Sequence, residues 1–172
     1  AQRVLTLPIV GIHLKRADTL RATSQPTPID ERPMLAIWEL TQACDLECVH
    51  CRACAVPWRD PKELSTDEGK KLLDDIAAMG TPLVIFTGGD PAKRPDLVEL
   101  VAHAARAGLI VAVTPSGTAL FQKPLLEQLK EAGVARIAVS VDGPDAKTHD
   151  AFRRVDGSFE HSIRILTDAK QL

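Results

Sequence analysis

The stretch PLVIFTGGDPAKRPDLVELVAHAARAGLIVAVTPSG (residues 82–117) holds one complete strand–helix–strand unit. It opens on an apolar run, residues 82–89, rich in Val and Ile and closed by two glycines. It ends on a second such run, residues 109–117. Between them, Pro95 stands at a plausible first helical turn and Gly108 stops the helix. Runs that are apolar almost without a break predict strands buried on both faces, as in a parallel sheet.

The same plan extends in both directions. MLAIWELT (34–41) and ARIAVSVDG (135–143) are further apolar runs. STDEGKKLLDDIAAMG (65–80) predicts a helix with a Ser65–Glu68 capping box, an apolar stripe of Leu72, Leu73, Ile76 and Met79, and a stop at Gly80. QKPLLEQLKEAG (122–133) repeats the design with Pro124 and Gly133, and a fourth helix starts near Ser158 with Phe159, Ile163 and Leu166 on one side. Thr87, Thr114 and Val141 recur every 27 residues. Such alternation predicts an α/β fold with a parallel sheet, built from about four β/α units. Four strands do not close a barrel, and Leu172 falls inside the fourth helix. The expectation is therefore a truncated, partial (β/α) barrel. Residues 34–172 are expected to form this incomplete core domain. Residues 1–33, punctuated by Pro8, Pro26, Pro28 and Pro33, read as an N-terminal extension of unknown role.

Composition narrows the function classes. The chain has 172 residues, 45% hydrophobic and 26% charged, with a net charge of −2. Such a chain is long enough to bury a core and has no basic field to attract nucleic acid. No apolar run reaches membrane-spanning length, and the N-terminus lacks the features of a signal peptide. The expected location is the cytoplasm, where clustered thiols serve as ligands or catalysts more often than as disulfides.

The first unit carries a long insertion after its strand, and there the cysteines lie: Cys44, Cys48, Cys51 and Cys54, all of the chain's cysteines. Chemistry in α/β folds sits at these carboxyl ends of strands. Three thiols in eight residues, flanked by Asp45, Glu47 and Arg52, are not core packing. Zinc is one reading, since Cys48–Cys51 and Cys51–Cys54 have zinc-like spacing, with His50, His103 or His149 as further ligands. An iron–sulfur cluster is the other, because Cys-x-x-x-Cys-x-x-Cys places three thiolates on one loop and leaves one iron open.

The cysteine motif resembles that of the radical S-adenosylmethionine (SAM) enzymes, and three further segments support the likeness. Gly88-Gly89-Asp90-Pro91 is similar to the family's Gly-Gly-Glu-Pro, with Asp in place of Glu. Ser140-Val141-Asp142-Gly143 is similar to the Ser-x-Asp-Gly of the branch that often carries an extra cluster domain (the SPASM-type peptide maturases and the enzymes that modify haem precursors). HDAFRRVDGSFE (149–160) resembles that branch's His-Asp-x-x-Arg-Gly-x-x-Gly-Ser-Phe, with Arg154 in place of Gly.

The resemblance implies a 4Fe–4S cluster on Cys44, Cys48 and Cys51, with SAM at the open iron. It implies SAM contacts from Gly88, Gly89, Asp90 and Pro91, with Asp90 accepting from the ammonium group. It assigns Ser140 and Arg153 to the carboxylate end, His50 to the adenine, and Thr114 and Ser116 to the third strand's end. Asp142 either joins this set or stabilises the turn before Gly143. Cys54 reads as a passenger. The implied activity is reductive cleavage of SAM to a 5′-deoxyadenosyl radical that abstracts hydrogen from a peptide, tetrapyrrole or other small-molecule substrate. An electron donor such as flavodoxin or ferredoxin would serve it. The alternative is a non-catalytic zinc- or cluster-binding α/β module.

Overall fold

The computed structural model describes residues 11–13 and 32–172. Four strands, β2 (Ala36–Glu39), β3 (Leu83–Thr87), β4 (Ile110–Val113) and β5 (Val134–Ala138), run parallel in the order of the chain. They are the four apolar runs of the sequence. A short strand, β1 (Gly11–His13), pairs antiparallel with β5, Gly11 opposite Ala138. The aperiodic reading of residues 1–33 gave no sign of it; residues 1–10 and 14–31 lie outside the described residues.

Helices α1 (Thr66–Ala78), α2 (Leu97–Arg106), α3 (Lys123–Ala132) and α5 (Ser158–Gln171) follow β2, β3, β4 and β5. The Ser65–Glu68 capping box is formed in full. Gly133 ends α3 in the left-handed conformation at φ 103°. Pro95 lies outside α2, whose first residue is Leu97 after Asp96 at the cap position. One helix was not foreseen: α4 (Ala146–Arg153), capped by Asp145, whose side chain accepts from the Thr148 N–H.

The helices cover one face of the sheet. Leu73, Ile76, Leu100, Val101, Leu126, Leu129 and Ile165 pack on Val84, Phe86, Val111, Val113 and Ile137. Burying this set is the main stabilising contribution, at roughly 1.5–3 kcal/mol for each large apolar side chain. The expectation of burial on both faces holds in β4, where Val111, Ala112 and Val113 are all buried, and is corrected for β2 and β3. β3 alternates buried with half-buried residues, and Leu35 and Ile37 on the other face are exposed by 41% and 58%. Among the described residues no helix covers that second face at β2. Nor is any described helix long and apolar enough to cross a membrane.

Candidate functional site

The carboxyl ends of β2 to β5 converge at one edge of the sheet, and an open cavity of about 270 Å³ lies there. Cys44, Cys48 and Cys51 line it, with His50, Gly88, Gly89, Thr114, Ser116, Ser140 and Arg153. Cys54 is exposed and is not among the lining residues. The cavity thus separates three thiols from the fourth, and it gathers ten of the thirteen expected site residues.

Each lining thiol accepts a hydrogen bond. The Leu46 N–H donates to Cys44 Sγ at 3.4 Å, the Ala55 N–H to Cys51 Sγ at 3.3 Å, and Arg153 Nη1 to Cys48 Sγ at 3.6 Å. Burial pushes the Cys44 thiol above its ordinary pKa of 9.0, and the nearby Asp90 and Cys48 push the same way, against the Leu46 N–H and the Ser116 hydroxyl. A bound cation would reverse this, since a coordinating thiol is deprotonated outright.

The cysteine loop closes on itself where the Cys44 N–H meets the Val56 carbonyl at 2.9 Å and the Val56 N–H meets that of Gln42 at 3.1 Å. It is then docked onto the end of α4. The N–H groups of Glu47 and Val49 donate to the carbonyls of Arg153 and Phe152. His50 stacks on Phe152 with ring centroids 4.4 Å apart. Arg154, at the position where the family motif has Gly, adopts the left-handed conformation at φ 58° and ends the helix there. That backbone angle explains why a glycine suits the position.

The glycine loop is built differently. A Cβ on Gly88 would stand 2.4 Å from the Thr41 carbonyl, and one on Gly89 2.4 Å from that of Ala43. The backbone of the cysteine loop occupies that space, and the N–H groups of Gly89 and Asp90 bond to those same two carbonyls at 2.7 Å. Ser116 donates to the Gly89 carbonyl, which ties β4's end to β3's.

Three expected site residues stand apart from the cavity lining. Asp90 is fully buried, its Oδ1 accepting from the Ala92 N–H at 3.1 Å and its Oδ2 from the Thr118 hydroxyl at 2.5 Å. It caps the short 3-10 turn of Pro91–Lys93, and Pro91 is buried in that turn. Burial raises the Asp90 pKa from 3.8, against the bonds from Thr118 and Ala92. Asp142 holds Arg153 instead, its Oδ2 accepting from Nε at 2.5 Å.

Sequence reasoning missed the residues that brace the site. His149 is buried, and its Nδ1 accepts from the Asp142 N–H at 3.0 Å. Burial, and then the Arg153 charge, depress its pKa. Asp150 collects the Gly157 and Phe159 N–H groups and the Ser158 hydroxyl, each at 2.8 Å. Lys93 pairs with Asp45 at 2.5 Å across the two loops. Arg94 is buried against Asp96 and donates to the Leu40 and Leu64 carbonyls. The Asp145–Thr148 cap was the one available cue to α4.

Among the described residues, no three His, Cys, Asp or Glu side chains are so arranged as to grip a single metal ion. A zinc ion would need such convergence, with Zn–S near 2.3 Å. Three thiols lining one cavity are donors of the kind that hold an iron–sulfur cluster.

A family model described as the radical SAM superfamily matches residues 38–172. An AdoMet-dependent heme synthase of Nitratidesulfovibrio vulgaris is 48% identical over 130 residues, covering 76% of this chain and 35% of that protein. A PqqA peptide cyclase of Rhodopseudomonas palustris is 39% identical over 140 residues, 81% of this chain and 37% of that one. The chain spans about a third of the length of these relatives. A crystal structure of methylornithine synthase superposes with a TM-score of 0.65 at 22% identity, covering 80% of this chain and 41% of that one. Streptococcus suis SuiB bound to S-adenosylmethionine gives 0.63 at 18% identity, covering 76% and 30%.

Proposed function

This chain belongs to the radical SAM superfamily, and from that premise we propose that it forms the cofactor-binding part of an enzyme that generates a radical from SAM. The observation that carries the reading is the sorting of the thiols: Cys44, Cys48 and Cys51 line one cavity with the glycine loop, and Cys54 stands outside it. These three would hold a 4Fe–4S cluster. When bound, the cluster supplies the electron for reductive cleavage of SAM to a 5′-deoxyadenosyl radical, which takes hydrogen from the substrate.

The chain's own residues bind and orient. Gly88 and Gly89 let their loop pack against the Thr41 and Ala43 carbonyls, which stand where a Cβ would go, so that its backbone faces SAM, and Asp90 and Pro91 fix the turn that presents them. Thr114, Ser116 and Ser140 offer hydroxyls from the ends of β4 and β5. Arg153 offers a cation to the carboxylate, and Asp142 sets its direction. His50, held flat against Phe152, offers a ring face to the adenine. The cofactor carries the difficult chemistry, and the protein supplies position and exclusion of water.

The substrate class we favour is a tetrapyrrole, because relatives named for haem and coproporphyrin synthesis are 39–48% identical. A peptide is the second reading, which the PqqA peptide cyclase supports. A flavodoxin or ferredoxin would donate the electron. Residues 34–172 would act as one core unit with residues 1–33 as an extension. A non-catalytic zinc- or cluster-binding module is the alternative, and metal and sulfide content with SAM cleavage separates it from the enzyme. The test is anaerobic reconstitution with iron and sulfide, then addition of SAM and a strong reductant. Formation of 5′-deoxyadenosine is expected. One zinc per chain, no labile sulfide and no SAM cleavage would overturn the reading.

A further inference from the structure

Two of the three lining thiols receive their hydrogen bonds from local backbone N–H groups, within four residues. The third does not. Cys48 Sγ receives Nη1 of Arg153, a cation 105 residues away, at 3.6 Å. That guanidinium is held by the chain's own groups. Its Nε is paired with Asp142 Oδ2, and the Asp142 N–H is itself held by the buried His149. The Arg153 carbonyl also accepts from Glu47, the residue before Cys48. Side chain and main chain of one residue therefore both grip the cysteine loop.

We infer that Arg153 sets the reduction potential of the group held by Cys44, Cys48 and Cys51, a task separate from contact with SAM. The inference rests on the cluster reading above. Reduction adds one negative charge to the cluster. A cation donating to one of its sulfurs stabilises the reduced form more than the oxidised one and raises the potential. Arg153 is largely buried, so solvent screens it little. Both arginines are paired with a carboxylate at 2.5 Å, but Arg52, which lines the same cavity, is 82% exposed in its side chain against 10% for Arg153, so solvent screens it far more. His149 and Asp142 are positioning residues for the guanidinium.

The test is an EPR-monitored redox titration of the reconstituted chain without SAM. Arg153→Gln is expected to keep full iron and sulfide content and to shift the potential downward. The expected size is at least tenfold in the ratio of reduced to oxidised cluster at fixed poise, which is 59 mV for one electron. Arg52→Gln is expected to shift it far less. A loaded Arg153→Gln protein with an unchanged potential would overturn the inference and leave the cluster reading standing. A wild-type chain that takes up no iron and sulfide would overturn the cluster reading itself. If Arg153→Gln does not fold, Arg52→Lys protein carrying ¹⁵N-guanidino arginine provides the measurement. A ¹⁵N coupling to the reduced cluster in pulsed EPR supports the contact, and its absence overturns it.

Discussion

The cysteine loop and the glycine loop end neighbouring strands of one sheet and face one cavity, yet they are held in opposite ways. The glycine loop is fixed by what surrounds it at once: two backbone carbonyls that leave no space for a Cβ, and a capped turn beneath it. The cysteine loop is fixed mainly by the end of α4, which lies about a hundred residues further along the chain. The first geometry needs glycine at its own positions, because carbonyls of the neighbouring loop stand where a Cβ would go. The second depends on a partner that its own residues do not specify. Perturbing each separately tests the contrast.

The largest effect belongs to Gly89→Ala. Its Cβ would meet the Ala43 and Gln42 carbonyls at 2.4 and 2.6 Å, so backbone must shift. We expect a loss of about 3 kcal/mol or more, read from urea unfolding at unchanged m. A midpoint like the wild type's would show that the loop is not sterically set.

Next comes Asp142→Ala, which leaves Arg153 largely buried without its carboxylate. The cost is about 2–3 kcal/mol, below the range for a fully buried pair because both side chains keep some exposure. Hydrogen exchange sharpens the comparison: the Glu47 and Val49 amides should exchange faster, while those of Gly89 and Asp90 keep their protection. Equal loosening of both loops would break it.

Asp90→Asn tests the same contrast by pH. The folded Asp90 has its pKa raised above 3.8, so its contribution to stability is fully present below that value and is lost as pH rises through the raised one. In the asparagine variant this fall should vanish from the urea midpoint measured from about pH 4 upward. Persistence of the full slope would mean that another group carries it. The smallest effect belongs to Arg52→Ala, an exposed partner of Glu39, at under about 1 kcal/mol by the same unfolding measurement.

The strands and the helix ends at Ser65 and Gly133 were legible because each is decided locally, and the site's glycines and cysteines because their motifs stand in the sequence. Ser65 and Glu68 cap their own helix, and Gly133 supplies its own left-handed angle. What was not legible depends on tertiary proximity. Nothing around Asp90 in the chain announces Thr118, whose hydroxyl donates to the buried carboxylate. Phe152, Asp142 and His149 acquire their roles only when α4 folds back onto the cysteine loop. The apolar runs also overstated burial, since a sheet face without helices on it can be as apolar as the one beneath them.

The most direct test of the central claim is iron and acid-labile sulfide content after anaerobic reconstitution, across single cysteine variants. The account predicts about four iron and four sulfide per wild-type chain, as a 4Fe–4S cluster requires. It predicts the same content in Cys54→Ala and a loss of stable loading in Cys44→Ala, Cys48→Ala and Cys51→Ala. One zinc per chain without sulfide, or loading that depends on Cys54 as much as on the other three, would contradict it.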